Sequence, residues 1–503
     1  MIEQLFEEQR ITPPERNGRA RTARRLKVAY IMSRFPKLTE TFILYEILAL
    51  EQQGVQIELY PLLRERSPVM HPEAAPLVER AHFQPFFSRH ILHAQVHFLR
   101  RKPRAYLGTL WALLRGTWGS LRFFTGALGI FPKTVCFAHQ MATDGVTHVH
   151  AHFASHPAAA GFIIQRLVGI PYSFTAHGSD LHRDRHMLHE KVAEAAFVVP
   201  ISNYNKDLII EECGEQFRDK VFVNHCGVDT QVFRPEQGSR GAEEQRSRGA
   251  GVLAVCRRTP LQRTRALHIG SGDPSSPQDM DSPGPLTRFS DKLLGCQGAK
   301  EIAREGARPF TILCVGTLHE VKGQTHLIEA CRLLKDRGID FACHFVGDGP
   351  DREALTRQIA QAGLADCVQF LGQRTRAEIA ELLRNAGVVA APSVPTSIGR
   401  REGIPVVLME AMASGVPVVA SDISGIPELV EDEHNGLLVP PRDAWALADA
   451  LERLHGDPAL CRRLGQAGRN KVLREFDLHT NAAALAQHFT PVLSVAERAE
   501  DPP

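Results

Sequence analysis

No run of about 18 to 20 uninterrupted apolar residues occurs anywhere in the 503-residue chain, so no membrane-spanning helix is expected. The first two dozen residues hold acids, prolines and arginines but no apolar core segment, so no cleaved signal peptide is expected. No two of the ten cysteines form a C-x-x-C pair. In a chain of this size that scatter argues for reduced thiols and a cytoplasmic location rather than a disulfide framework. Charge of one sign is lacking too: 59 Lys and Arg against 57 Asp and Glu leave a formal +2, with no global electrostatic reason to bind nucleic acid. One local absence stands out, because residues 80–143 contain nine Arg or Lys and no Asp or Glu.

What is present is a repeating alternation of short β-rich runs and helical stretches. Residues 26–31 read as a strand, 41–51 have helical spacing and stop at Gly54, and 55–60 return to strand alternation. Strand, helix and strand in that order make a βαβ unit, and repetition of it implies a parallel sheet. Further strands are expected at 148–153, 172–175 and 197–200, with 221–223 closing the set. A second series opens at 310–316 and continues through 344–347, 368–372, 388–391 and 416–420. The fold class expected is α/β, with two doubly wound Rossmann-like domains in tandem. The expected division is a basic arm at 1–25, a first domain at 26–235 and a second at 309–477. A helix at about 478–490 returns to the first domain, and a tail occupies 491–503. Between the domains, 236–308 repeats Ser-Arg-Gly-Ala at 239–242 and 247–250 and is rich in Gly, Ser and Pro. Such a composition cannot bury enough apolar surface to offset its ordering entropy, so it reads as a disordered insertion. A short apolar patch at 251–256 is the one stretch there with strand character.

The strongest chemical signal is the stretch Arg401-Glu402-Gly403-Ile404-Pro405-Val406-Val407-Leu408-Met409-Glu410. It reads as a loop ending in Glu402 and a helix with Pro405 in its first turn, where a missing N–H costs nothing. Free N–H groups near 404–407 suit a diphosphate. Carboxylates repel phosphates, so Glu402 and Glu410 should accept hydrogen bonds from hydroxyls at the two ends of a long ligand, a sugar and a ribose.

This E-x7-E stretch, followed by Gly425-Ile426-Pro427-Glu428 and Asn435-Gly436, resembles the group 1 glycosyltransferases (family 4, retaining, GT-B fold), of the exopolysaccharide and colanic-acid type. Val315-Gly316-Thr317-Leu318-His319-Glu320-Val321-Lys322-Gly323 and Val346-Gly347-Asp348-Gly349-Pro350 are similar to further motifs of that family. The resemblance covers nearly all of the chain except 1–25 and 236–308. It implies a metal-independent retaining hexosyltransferase without a cofactor, using a UDP- or GDP-sugar and a saccharide or lipid-linked saccharide acceptor. It implies that Glu402 binds donor-sugar hydroxyls and Glu410 the ribose. Gly316, Thr317, Gly347, Gly349, Gly403, Ile404 and Pro405 would complete the donor site, and Lys322 would neutralise the departing diphosphate. Thr317 stands where the family usually has arginine. His177, in the T-x-H of Thr175-Ala176-His177-Gly178, would lie near donor sugar and acceptor. Asn203 and Asp229 would line the cleft.

Where the family often has a glycine pair after the first strand, this chain has Phe35-Pro36-Lys37-Leu38-Thr39-Glu40-Thr41. Thr39 or Thr41 would serve there on the acceptor side, and Thr39 equally suits a helix N-cap. His148, His150 and His152 alternate along one strand face, but no carboxylate or cysteine completes a metal set nearby in sequence. A dehydrogenase is disfavoured because Gly347-Asp348-Gly349 is followed by Arg352 where G-x-G-x-x-G needs its last glycine. Two other readings stay open: a GT-B sugar-nucleotide 2-epimerase and a non-catalytic nucleotide-sugar-binding partner. The acid-free segment 80–143, with Trp111, Trp118, Phe86 and Phe87 among its bases, fits peripheral contact with anionic lipid as well as it fits a basic helical layer.

Overall fold

The computed structural model describes residues 26–37, 39–65, 70–182, 185–235 and 310–499. The expected arm 1–25 and insertion 236–308, including the patch at 251–256, lie outside those residues.

Two parallel sheets organise the chain. The first has five strands in the order β3-β1-β5-β6-β7. These are β1 (Lys27–Ile31), β3 (Gln56–Leu59), β5 (His148–His152), β6 (Tyr172–Ala176) and β7 (Phe197–Pro200). Two-residue strands β2 (Arg34–Phe35) and β4 (Leu63–Arg64) pair beside it. The second sheet has six strands in the order β10-β9-β8-β11-β12-β13. They are β8 (Phe310–Val315), β9 (Phe341–Val346), β10 (Val368–Gly372), β11 (Val388–Ala391), β12 (Val418–Ser421) and β13 (Leu437–Val439). Every strand pairing is parallel. Helices cover both faces, so the strands β5, β6, β7, β11 and β12 are buried along their whole length.

Each sheet separates two apolar clusters. On one face of the first sheet, Ile31, Phe137, Phe162 and Phe174 meet. On the other, Val28, Tyr30, Ile43 and Ile47 pack with Leu478, Leu485 and Phe489 of the helix Leu478–Ala499. The chain's last helix therefore leaves the second domain and completes the core of the first.

The structure departs from the expectations at several points. Residues 221–223 form no strand; Val221 makes a single isolated bridge to Val198. β13 was not anticipated, and three residues are too few to show a period. The last helix runs on through 491–499, where a tail was expected. Val228 and Phe233 pack in the core of the second domain, so the boundary at 235 cuts through structure that belongs with β11 and β12. Pro405 is the cap before the helix Val406–Ala413, not a member of its first turn.

Candidate functional site

The loops after β8 and β9 carry the glycines that form one wall of the site. Gly316 N–H donates to Val346 O at 2.9 Å, and Leu318 N–H donates to Asp348 O at 3.1 Å. The two loops lie so close that a Cβ on Gly347 would sit 2.1 Å from Gly316 O, and one on Gly349 would sit 2.3 Å from Leu318 O. Gly347 also has a φ of +131°, which L side chains rarely adopt. Asp348 is a turn residue whose carboxylate accepts from Gly349 N–H. Beyond these loops a 3-10 turn, Glu320–Lys322, delivers Lys322 across Gly316. Its ammonium lies 2.8 Å from Glu402 Oε2, and both side chains are about one-fifth exposed. Lys322 and Glu402, eighty residues apart, thus meet as a half-buried ion pair. Thr317 is half-buried and its carbonyl accepts from Gln324 Nε2. Arg400, two residues before Glu402, brings a guanidinium to 3.5 Å from His319 Nε2.

Gly403, Ile404 and Pro405 are buried and lead into the helix Val406–Ala413. Glu410 is only 8% exposed in that helix. It lines a narrow pocket with Thr41, Tyr45, Gly227, Asp229 and Arg376. Burial raises its carboxyl to about 7, against the pull of the Arg376 guanidinium. Arg376 also pairs with Asp229 at 3.1 Å and lies 3.8 Å above the Tyr45 ring. Sequence reading missed Arg376. The available signal was Thr375-x-x-Glu378, a capping box that starts a helix at Arg376 and fixes the arginine in its first turn.

The first domain contributes the loop after β6. Asp180 holds it, its carboxylate accepting from the N–H groups of Ala154, His177 and Gly178. Here the domains touch backbone to backbone: a Cβ on Gly403 would stand 2.4 Å from His177 O, and one on Gly178 3.2 Å from Gly403 Cα. A second contact joins them where Glu428 accepts from Asn203 N–H at 2.7 Å, Asn203 Nδ2 at 3.0 Å and Tyr204 N–H at 2.8 Å. That carboxylate sits at the N-terminus of the helix Asn203–Cys213, where negative charge is favoured. Of the acceptor-side candidates, Thr41 and Asp229 reach the Glu410 pocket. Thr39 is exposed in a turn, and the cap of the helix Thr41–Gln52 is Glu40, so the N-cap reading of Thr39 does not hold.

His177, expected to lie near donor sugar and acceptor, is in the loop that meets Gly403 of the second domain. Its ring is 8% exposed and packs on Phe42 at 4.5 Å and Phe153 at 4.9 Å. Nε2 lies 3.0 Å from His152 Nδ1, and Nδ1 lies 3.8 Å from Cys226 Sγ. Burial holds the imidazole well below its ordinary pKa, so it is neutral. The carboxylate missing from the sequence neighbourhood of the β5 histidines is Glu46, 106 positions from His152 and 3.1 Å from its Nε2. Glu46, His150 and His152 offer ligand atoms within 4.8 Å of one another. Both His150 nitrogens are already engaged, by Ser173 at 2.8 Å and Thr175 at 2.9 Å, and His148 bonds Ser173 at 2.7 Å.

Known proteins resemble this chain in sequence and in fold. The family model for glycosyl transferases group 1 matches residues 299–471. A putative colanic acid biosynthesis glycosyltransferase of Escherichia coli is 29% identical over 440 residues, 85% of this chain and 90% of that protein. A 2-deoxystreptamine glucosyltransferase of Streptomyces kanamyceticus is 33% identical over 334 residues, 66% of this chain and 74% of that protein. Among solved structures, Anabaena HepE in complex with UDP superposes with a TM-score of 0.60 at 17% identity, covering 93% of this chain and all of that one. The architecture is the GT-B arrangement of two Rossmann-like domains. Family model, full-length relatives and fold agree, and the chain belongs to the group 1 glycosyltransferases.

Proposed function

We propose that this enzyme moves a sugar, with retention of anomeric configuration, from a UDP- or GDP-sugar to a saccharide or lipid-linked saccharide during polysaccharide or glycolipid assembly. The observation that carries the reading is the Lys322–Glu402 pair, 2.8 Å apart beside the point where Gly403 abuts His177. In the resting enzyme each charge answers the other. With donor bound, Glu402 accepts from sugar hydroxyls, and Lys322 turns to the diphosphate, whose charge grows as its bond to the anomeric carbon breaks. The acceptor oxygen bonds that carbon from the same face, and its proton passes to the departing diphosphate oxygen. Thr317 supplies no charge, so Lys322, Arg400 and the N–H groups leading into the helix Val406–Ala413 carry the phosphate contacts. Glu410 takes the ribose hydroxyls. No metal or cofactor enters this scheme.

The same proposal places the enzyme against anionic lipid. Its support is the set of exposed apolar side chains on the helices Arg89–Arg101, Pro103–Gly116 and Leu121–Thr143 and the turn between the last two: Leu92, Leu99, Leu107, Trp111, Trp118 and Leu121. Trp118 is 77% exposed, and Phe87, two residues before the helix Arg89–Arg101, is 94% exposed. The segment 80–143 that carries them holds nine Arg or Lys and no Asp or Glu. Among the described residues no helix is long and apolar enough to cross a membrane.

A thermal-shift panel of UDP-glucose, UDP-galactose, UDP-N-acetylglucosamine and GDP-mannose tests the donor reading. Saturation at 100 times Kd adds about 2.7 kcal/mol to stability, so a true donor raises Tm clearly. Lys322→Ala is expected to abolish the shift. Equal, negligible shifts for every nucleotide-sugar would contradict the reading.

A further inference from the structure

A chain of hydrogen bonds through the first domain ends on His177, and its direction can be read from chemistry. Glu46 Oε1 accepts the Tyr30 hydroxyl at 2.8 Å and lies 3.1 Å from His152 Nε2. A carboxylate only accepts, so Nε2 of His152 carries a hydrogen. In a neutral imidazole the other nitrogen is then an acceptor, and His152 Nδ1 faces His177 Nε2 at 3.0 Å. With His152 neutral, His177 Nε2 carries the hydrogen, which leaves Nδ1 without one. That nitrogen faces Cys226 Sγ at 3.8 Å, where the thiol, kept protonated by burial, makes a weak S–H contact to it. Cys226 adjoins Gly227, which lines the Glu410 pocket together with Phe42, the ring packed on His177.

We propose that Glu46 and His152 are positioning residues for sugar transfer, locking His177 as its Nε2–H tautomer so that Nδ1 stands as a hydrogen-bond acceptor at the Cys226–Gly227 wall of the cleft. The proposal rests on the glycosyl-transfer reading above. A sugar or acceptor hydroxyl arriving at that wall meets an acceptor; the other tautomer would present an N–H and repel the hydroxyl hydrogen. His150 takes no part in the chain, because Ser173 and Thr175 occupy both its nitrogens. Tyr30 joins from a buried position on β1 and spends its hydroxyl hydrogen on Glu46, which keeps that carboxylate turned toward His152.

The test uses the full chain with 15N-labelled histidine. Two-bond proton–nitrogen correlations assign each ring's tautomer, and hydrolysis of the nucleotide-sugar giving the largest thermal shift in the four-member panel supplies kcat and KM. In the unmodified enzyme His177 is expected wholly as Nε2–H. His152→Phe keeps a ring against Tyr30 and His177 but breaks the chain. It is expected to mix the His177 tautomers and lower kcat roughly 10–100-fold with donor KM within about twofold, the range typical of lost orienting partners. Glu46→Gln retains an oxygen that accepts from both Tyr30 and His152 and is expected to keep tautomer and kcat. Glu46→Leu is expected to lose both, and it asks the same question from the half-buried end if His152→Phe does not fold. An Nδ1–H His177 in the unmodified enzyme, the form a protonated His152 would impose, overturns the proposal. So does a folded His152→Phe or Glu46→Leu with unchanged kcat. Failure of the donor reading would look different: no panel sugar would be turned over by the unmodified enzyme, while the tautomer spectrum would still decide the hydrogen-bond chain.

Discussion

Glu410 sits in the second turn of its helix, walled by Tyr45, Phe42 and Val406, and burial raises its carboxyl from 4.5 to about 7. A carboxyl raised on folding binds more protons in the native state than in the unfolded one. Stability is therefore lost as pH rises from about 4.5 to about 7, and the loss is complete above it. The shift corresponds to about 3 kcal/mol. Glu410→Gln removes the titration, so its Tm advantage over the parent is expected to grow between pH 5 and pH 8. The same change is expected to weaken donor binding by roughly 1.5–3 kcal/mol through loss of a charged acceptor for ribose. Calorimetry at the two pH values and a donor titration read both effects. A pH-independent Tm difference would contradict the account of burial. At this scale the candidates legible in the sequence, Lys322, Glu402, Glu410 and the glycines of 316, 347 and 349, sit in local strings that resemble the motifs of the family. Glu46, His152 and Arg376 were not legible, because each acts through a partner from a different element. The direction of the His177 ring was equally hidden, since a T-x-H string does not say which way the imidazole turns.

Among the elements, β8 and β11 were readable as near-continuous apolar runs, because strands covered on both faces need no polar side, whereas β3 and β5 alternate in sequence. The failures fall where length or packing decides: β13 has three residues, and Val221 adds one bridge where a strand was expected. The three helices of 89–143 show what a period can and cannot say. Leu92, Val96 and Leu99 lie at i, i+4 and i+7 on one face, a spacing that ordinarily marks a core stripe, yet all three are exposed. The buried stripe of that helix is Ile91, Ala94 and Phe98 instead. The second, outward stripe has Arg100, Arg101 and Arg104 beside it. Vesicle sedimentation follows from the proposed lipid contact. Binding to anionic vesicles and not to neutral ones is expected, falling as salt rises, with each base near the surface worth about 1 kcal/mol. Changing Arg100, Arg101 and Arg104 to Ser is expected to release the protein while hydrolysis of the soluble donor is unaffected. Binding that survives that change undiminished would assign the helices to a basic layer alone.

Over the whole molecule, the two domains meet through several contacts among the described residues. They include the backbone approach of Gly178 to Gly403, Glu428 across the start of the helix Asn203–Cys213, Arg401 Nη1 donating to the Tyr204 hydroxyl at 2.9 Å, and Arg376 over the Tyr45 ring. The last helix ties the second domain back to the first through Leu485 and Phe489, so the domains can separate at the cleft without parting at the hinge side. That arrangement suits closure on a donor with exclusion of water, so that transfer outcompetes hydrolysis. The central claim is that Glu402, held by Lys322 in this cleft, is needed for transfer to an acceptor and not for the fold. The measurement that tests it most directly is release of nucleoside diphosphate from the panel donor, with and without a set of octyl glycosides as soluble acceptors, in the unmodified enzyme and in Glu402→Gln. Release stimulated by an acceptor is expected in the unmodified enzyme, with a loss of about 100-fold or more in the variant at unchanged Tm. Acceptor-stimulated release at the unmodified rate in a folded Glu402→Gln would contradict it.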